Sequence, residues 1–229
     1  MESINYTDWG TIDYLKAYEQ QKELFDQAMR DKQNQRSVKN TLIFCEHPPV
    51  ITLGKSGDMQ NLLFPETYLE EKGVSFYQID RGGDVTFHGP GQLVGYPIFD
   101  LEGMQLGLKA YIHTMEEAII LLLADYGIKG ERLAGATGVW LDTEIPHLAR
   151  KICAVGVRSS RYITMHGFAL NVSTDLSYFQ LINPCGFIDR GVTSMEKELG
   201  KSINIEEIKL ELLYYFKKKF DKDFLPESI

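Results

Sequence analysis

The segment from Arg81 to Gln92 reads Arg81-Gly82-Gly83-Asp84-Val85-Thr86-Phe87-His88-Gly89-Pro90-Gly91-Gln92. It packs four glycines and a proline into twelve residues, directly after a strand predicted over Val74 to Ile79. Glycine permits positive φ angles and lets a ligand approach the main chain, whose amides can bind a carbonyl oxygen or an anion. Two tight turns between strands would have the same composition. The spacing lacks the patterns of known phosphate-binding loops, so a nucleotide is not indicated.

The composition predicts a single globular domain over residues 1–229. Hydrophobic residues make up 44% of the chain and charged residues 24%, which is typical of soluble proteins. The longest apolar runs, Ala118 to Ala124 and Thr41 to Cys45, are far shorter than the ~20 residues of a membrane span, and the first residues are not a signal peptide. We therefore expect a cytoplasmic protein without membrane contact. The net charge of −8 argues against nonspecific nucleic-acid binding.

Outward from the glycine segment, the pattern predicts a mixed, mainly antiparallel sheet flanked by helices, an α/β fold of the α+β type. Alternating βαβ units are not evident. Helices are predicted from Thr11 to Asp31, from Leu108 to Tyr126 and from Asn204 onward, with Asp13 or Thr11, Gly127 and Asn204 as capping residues. The remaining predicted strands are Thr41 to Cys45, Val50 to Leu53, Leu93 to Phe99, Val139 to Leu141, Lys151 to Arg158 and Tyr162 to Val172, the last two joined by a turn at Ser159-Ser160-Arg161.

Three cysteines could supply a nucleophile, and they lack the spacing of a metal site or a disulfide framework. Cys45 ends an apolar run and is expected in the core, where burial penalises the thiolate. Strand alternation would place Cys153 on the same face as Lys151, close to a site. Cys185 lies in an Asn-Pro-Cys-Gly turn that can expose a side chain and leave amides available for an oxyanion. From the residues alone, Cys185 is only narrowly preferred to Cys153.

Lys151 is most simply a solvated surface charge. It also begins an apolar strand, so a half-buried amine is plausible there; such an amine could stabilise a thiolate as a cation or accept the thiol proton as a neutral base. His88 and His166 could orient an acyl carbonyl or hold loops in place, and the sequence does not separate these roles.

The chain resembles the lipoyl(octanoyl) transferase family. The segment from Arg81 to Gln92 matches the signature of that family, and three later segments agree in order and spacing. These are Arg150 to Arg158 (RKICAVGVR), His166 to Val172 (HGFALNV) and Asn183 to Gly186 (NPCG). The family fold resembles the catalytic domain of biotin and lipoate protein ligases.

The resemblance implies the first step of lipoate cofactor biosynthesis. An octanoyl group would move from octanoyl-acyl carrier protein to a lysine of lipoyl domains, in 2-oxoacid dehydrogenases and the glycine cleavage H protein, without cofactor or metal. Cys185 would carry the acyl group as a thioester, with Lys151 as its base and activator. The protein is expected to be a monomer. The residues implied to bind the substrate are Arg81, Gly82, Gly83, Asp84, Val85, Thr86, Phe87, His88, Ala154, Val155, Gly156, Gly167, Phe168 and Ala169, supported by His166.

Other interpretations remain open at this point. Small residues such as Gly167 and Ala169 could form a slot for the acyl chain or only fit a sheet face. An ATP-dependent lipoate or biotin ligase of the same fold would need a nucleotide and no nucleophilic cysteine. A non-catalytic module could bind carrier or lipoyl domains. A papain-like hydrolase would pair the thiol with His88 or His166.

The stretch from Arg150 to Arg161 carries four cations and no acidic residue. Charged patches steer partners over the ~8–10 Å range that physiological salt allows. Because acyl carrier proteins are acidic, we expect this stretch to dock the donor.

Overall fold

Twelve strands and five α-helices make up residues 3–183 and 190–226, which the computed structural model describes. The first half of the chain contains β1 (Ile4–Thr11), α1 (Tyr14–Gln33), β2 (Thr41–Glu46), β3 (Val50–Leu53), α2 (Glu66–Glu71), β4 (Ser75–Gln78), β5 (Val85–His88), β6 (Gln92–Ile98) and α3 (Leu108–Asp125). The second half contains β7 (Glu131–Leu133), β8 (Ala136–Leu141), β9 (Arg150–Ser160), β10 (Ile163–Asn171), β11 (Gly191–Val192), α4 (Met195–Leu199), α5 (Ile205–Phe220) and β12 (Phe224–Pro226). Two short 3₁₀ helices cover Met59–Asn61 and Leu176–Leu181.

Nine of these strands form one mixed sheet in the order β12-β1-β2-β6-β10-β9-β8-β7, with β11 paired to the start of β9. Every pairing from β2 to β7 along this order is antiparallel. The parallel pairs are β12 with β1, β1 with β2, and β11 with β9. A second, small sheet has the order β4-β3-β5. The predicted mixed, mainly antiparallel sheet with flanking helices is confirmed.

The large sheet is covered on both faces, as the side chains of β2 illustrate. Leu42 and Phe44 point into the main core formed with α3 and α5. Ile43 and Cys45 point the other way, toward α1. Because successive residues of a strand face opposite sides, a strand with helices on both sides needs an unbroken apolar run, which is the pattern of Thr41 to Cys45.

Two parallel crossovers were not predicted. The strand β1 pairs with β2 after the helix α1, and β3 pairs with β4 after α2. The first helix begins at Tyr14 rather than Thr11 because the preceding residues belong to β1. Only Ile4 of the eight residues of β1 is buried, so the strand lacks the apolar run by which the others were identified.

The predicted caps agree with the structure. The Asp13 carboxylate accepts a hydrogen bond from the amide of Lys16, and the Asn204 side chain accepts one from the amide of Glu206. Gly127 follows α3 with a φ of +73°. The hairpin between β9 and β10 is present, although its turn residues are Arg161 and Tyr162, both with positive φ, so the turn lies further along than predicted. In the described part of the chain, the helices do not reach the length and hydropathy that crossing a bilayer requires.

Candidate active site

A β-bulge in β9 decides which side chains reach the site. Val139 of β8 pairs with Cys153, whereas the next residue, Trp140, pairs with Lys151. Ile152 is therefore an extra residue in β9, and an extra residue reverses the alternation of the side chains beyond it. Ile152 and Cys153 consequently both point into the main core.

The bulge brings Lys151 and Ala154 to a cavity on the opposite face of the strand from this core. The Lys151 Nζ lies 4.6 Å from the centre of the Trp140 ring, a contact that suits a cation on an aromatic face. The prediction that Lys151 and Cys153 share a face is therefore wrong, because it assumed an unbroken strand.

Two of the three cysteines are excluded as nucleophiles by their positions. Cys45 and Cys153 are both fully buried, Cys45 in the core as predicted. Burial raises the pKa of each thiol well above its ordinary value, so neither forms a thiolate readily. Cys185 lies outside the described residues, as do Pro184 and Gly186 of its turn.

The cavity spans about 850 Å³ when the solvent in its open mouth is counted. It brings together most residues predicted for the site. Those that line it are Lys151, His166, Arg81, Gly83, Asp84, Val85, Thr86, His88, Ala154, Val155, Gly156, Gly167, Phe168 and Ala169. Gly82 and Phe87 are adjacent but do not line it. The amide of Gly82 donates to the Val157 carbonyl (3.1 Å), and the buried Phe87 ring stacks on Tyr178 with a centroid distance of 4.7 Å.

Eight further residues line the cavity that the sequence did not single out: Tyr14, Gln92, Val94, Tyr96, Thr137, Asn171, Phe179 and Val192. Gln92 belongs to the glycine-rich segment, and Val94 and Tyr96 follow it at the alternating positions of β6. These three could have been found from strand periodicity. Asn171 follows Ala169 at the next alternating position of β10, so the same periodicity applies to it. The remaining four residues come from distant parts of the chain and carry no local signal.

Several glycines allow close contacts of the main chain around Arg81 because they lack a side chain. The Arg81 guanidinium is buried and donates to both the carbonyl (2.8 Å) and the hydroxyl (3.0 Å) of Thr52 in β3. A Cβ on Gly156 would lie 2.8 Å from the Gly82 carbonyl oxygen, and a Cβ on Gly54 would lie 2.3 Å from that of Gly83. These glycines let the loop from Arg81 pack between the two sheets.

Gly167 makes a similar contact on β10. A Cβ there would lie 2.2 Å from the carbonyl oxygen of Gly95 and 2.6 Å from the Pro97 side chain. The absence of a side chain at Gly167 is thus required by strand packing. Ala154 and Ala169, which pair across β9 and β10, are the small residues whose side chains shape the cavity.

His88 belongs to a buried hydrogen-bonded chain. Its Nδ1 lies 2.8 Å from Gln92 Oε1, and the Gln92 amide nitrogen donates to the Phe87 carbonyl (3.1 Å) and to Asn171 Oδ1 (2.9 Å). Because Gln92 donates through its nitrogen, its oxygen accepts, and His88 Nδ1 carries the proton. Burial, aided by the charges of His47 and Arg81, lowers the pKa of His88 to about 3, so the ring is neutral and Nε2 is an acceptor. His88 therefore cannot donate a hydrogen bond from Nε2 to an acyl carbonyl at neutral pH.

His166 has a structural partner. Its Nε2 lies 3.0 Å from Asp80 Oδ1, and this hydrogen bond is the main cause that lowers the pKa of Asp80 to about 2. Burial lowers the pKa of His166 itself. The residue has a φ of +63° within β10, an uncommon conformation for a residue other than glycine, and its amide donates to Gln21 Oε1 (3.3 Å). His166 thus ties the loop before Arg81 to the sheet.

Two of the four cations in the stretch from Arg150 to Arg161 form ion pairs within the protein. Arg150 forms ion pairs with Asp142 and with both oxygens of Glu198. Arg158 forms an ion pair with Asp80. The local excess of positive charge is therefore smaller than the sequence suggested. Among the described residues, no cluster of histidine, cysteine and carboxylate side chains could hold a metal ion.

Comparison with known proteins defines the class to which this fold and cavity belong. The family described as the lipoyl protein ligase A/B catalytic domain matches residues 13–217, and the chain belongs to that family. A solved structure of a bipartite lipoate protein ligase from Thermoplasma acidophilum superposes with a TM-score of 0.75 at 17% identity, covering 100% of this chain and 88% of the other, so it shares the fold.

Within that family the chain is an octanoyltransferase. It is 59% identical over 220 residues to the octanoyltransferase of Parabacteroides distasonis, covering 96% of this chain and 100% of the relative. It is 57% identical over 206 residues to that of Bacteroides fragilis strain YCH46, covering 90% and 93%. The predicted family and enzyme class are confirmed.

Proposed function

We propose that octanoyl transfer proceeds through a thioester on Cys185, with Lys151 moving the protons. The observation that carries the proposal is the bulge at Ile152, which places Lys151 at the cavity and leaves Cys153 in the core. With Cys45 also buried, Cys185 is the remaining thiol of the chain.

The first half-reaction transfers the acyl group to the enzyme. The thiol proton of Cys185 passes to Lys151, and the thiolate attacks the carbonyl carbon of the octanoyl thioester. The bond from this carbon to the carrier sulfur breaks, and Lys151 returns the proton to the departing thiolate. One thioester replaces another, so this step is nearly isoenergetic.

The second half-reaction forms the product amide. The neutral amine of an acceptor lysine attacks the acyl carbon, and the bond to Cys185 breaks. The proton lost by the amine passes through Lys151 to the Cys185 thiolate. An amide is more stable than a thioester, which draws the sequence forward. Acid and base assistance of this kind contributes roughly 10²–10⁴ in rate.

The cavity supplies the surroundings for the acyl chain. Ala154 and Ala169 leave an apolar channel beside the main chain of β9 and β10. The acceptor nitrogen at His88 Nε2 suits the N–H of an incoming amine better than the acyl oxygen. We further propose octanoyl-acyl carrier protein as donor and lipoyl domains as acceptors, acted on by one catalytic domain over residues 1–229.

Intact mass spectrometry tests the proposed intermediate. The protein is mixed with octanoyl-acyl carrier protein in the absence of ATP, and we expect a mass increase of one octanoyl group that hydroxylamine removes. Cys185→Ala should abolish the adduct, whereas Cys153→Ala and Cys45→Ala should retain it. An unmodified protein, or an adduct that requires ATP and free octanoate, would refute the thioester route and favour a ligase.

Single-turnover kinetics test the role of Lys151. Lys151→Ala should slow acylation and acyl transfer by roughly 10²-fold or more, because the same base serves both steps. Lys201→Ala is the matched control at an exposed lysine and should behave as the unmodified protein. Equal rates for Lys151→Ala and the control would contradict the proposal.

A further inference from the structure

Thr193 lies directly after β11 and is completely buried. All three of its polar groups are engaged. The amide donates to the Lys151 carbonyl (2.9 Å), the carbonyl accepts from Asn171 Nδ2 (3.0 Å), and the hydroxyl donates to Glu198 Oε1 (2.5 Å). Thr193 follows Val192, which lines the cavity. Because each polar group of Thr193 has a partner, the residue can connect elements that are far apart in the sequence.

One set of these bonds fixes the start of β9. The two-residue strand β11 pairs with Arg150 and Lys151, and the Thr193 amide extends this pairing. The Glu198 carboxylate, which accepts the Thr193 hydroxyl, also binds Arg150 through both oxygens at 2.7 Å. So short a strand pair gains little stability by itself, and the bond from Thr193 to Glu198, which also binds Arg150, holds β11 against the start of β9.

The other set leads to His88. Asn171, whose amide nitrogen donates to Thr193, accepts through Oδ1 from Gln92, and Gln92 accepts from His88 Nδ1. These four residues are all buried, so each group keeps one orientation because a lost partner would leave an unsatisfied polar atom. A continuous hydrogen-bonded path therefore runs from His88 through Thr193 to the main chain of Lys151.

We propose that Thr193 is a positioning residue that sets Lys151 relative to His88 and to the acyl group in the cavity. The inference rests on the proposed function, since it takes Lys151 as the reacting base. The hydroxyl of Thr193 acts by holding β11 and Arg150 together through Glu198. A displacement of about 1 Å at a reacting group can cost roughly 10²-fold in rate, so small movements of β9 suffice.

The test compares variants that separate the shape of Thr193 from its hydroxyl. Thr193→Val keeps the shape and removes the hydroxyl, and we expect kcat to fall by roughly 10- to 100-fold while the KM for octanoyl-acyl carrier protein changes less than about twofold. Thr193→Ser keeps the hydroxyl and should restore most of kcat. Thr41→Val is the matched control, because Thr41 is a buried threonine whose hydroxyl lacks a hydrogen-bond partner, and its kcat should be unchanged.

A double variant shows whether Thr193 acts through Lys151. In single-turnover acylation, Thr193→Val added to Lys151→Ala should slow the reaction less than about twofold further, because residues that act as one unit are not additive. A loss of the same size in both backgrounds would overturn the inference. If Thr193→Val does not fold, Glu198→Gln carries the test, because it removes the charge that binds Arg150, and a normal kcat there would also overturn it.

The two proposals fail in different ways. If Lys151→Ala reacts at the normal rate in both half-reactions, the proposed function is wrong. If Lys151→Ala is slow but Thr193→Val has a normal kcat, only the positioning role of Thr193 is wrong.

Discussion

Acidification is expected to destabilise the protein through its buried histidines, above all His47 and His88. The His47 Nδ1 lies 2.8 Å from the Ile12 carbonyl and its Nε2 lies 2.6 Å from the Tyr96 hydroxyl. The centres of the His47 and His88 rings are 6.0 Å apart. Burial lowers the pKa of His47 to about 4 and that of His88 to about 3, from an ordinary value of 6.5. Both rings stay neutral in the folded protein at pH 5.

The direction and size of the effect follow from proton linkage. Below pH 6.5 the unfolded chain binds a proton on each histidine that the folded protein does not bind, so the free energy of unfolding falls as the pH falls. The slope is about 1.36 kcal/mol per pH unit for each proton. Between pH 7.5 and 5.0 the loss is about 2 kcal/mol for each histidine and about 4 kcal/mol for the pair. It continues until the pH passes the pKa values of the folded protein.

Urea unfolding followed by circular dichroism at pH 7.5, 6.0 and 5.0 measures this loss. His88→Gln keeps a donor for Gln92 and should reduce the loss between pH 7.5 and 5.0 by about 2 kcal/mol, the share of His88. The matched control is His147→Gln, at an exposed loop position, which should keep the pH dependence of the unmodified protein. Equal pH dependence in His88→Gln and the unmodified protein, or greater stability at pH 5.0, would refute this account of the buried histidines.

Two further predictions concern stability. Gly167→Ala should reduce the free energy of unfolding by about 1–3 kcal/mol, because its Cβ would overlap the Gly95 carbonyl, whereas Gly107→Ala, with nothing within 4 Å of the new atom, should change it by less than about 1 kcal/mol. Similar urea midpoints for the two variants would contradict the assigned contact. Asn204→Ala removes the cap of α5 and should cost about 1 kcal/mol; an unchanged melting temperature would show that the cap contributes nothing.

The helices and strands whose signals lie in the local sequence were predictable. Strand β3 has the predicted bounds because it is a short apolar run, and α3 differs from its prediction by one residue at its end because helical periodicity and a capping glycine define it. The strands β1 and β12 were missed because they are stabilised by pairing with each other and with β2. Such partners are distant in sequence, so a half-exposed strand carries no signal of its own.

The candidate site was predictable as a set of segments but not as a geometry. The glycine-rich segment and the starts of β9 and β10 do meet at one cavity. The residues of these segments have different roles at the cavity. The glycines at positions 54 and 156 accommodate carbonyl groups and the Arg81 side chain, which depends on how the two sheets approach each other, whereas Gly167 accommodates a carbonyl of the neighbouring strand β6.

The position of Lys151 shows why periodicity alone could not decide between the cysteines. A strict alternation puts residues 151 and 153 on one face, and a single inserted residue is enough to separate them. The same bulge explains why two adjacent residues of β9, Ile152 and Cys153, are both buried between two residues that face the cavity. A bulge placed there turns one amine toward the reacting centre while the core stays closed, so a lengthening of β8 by one residue to restore regular pairing should turn Lys151 away from the cavity and abolish acylation.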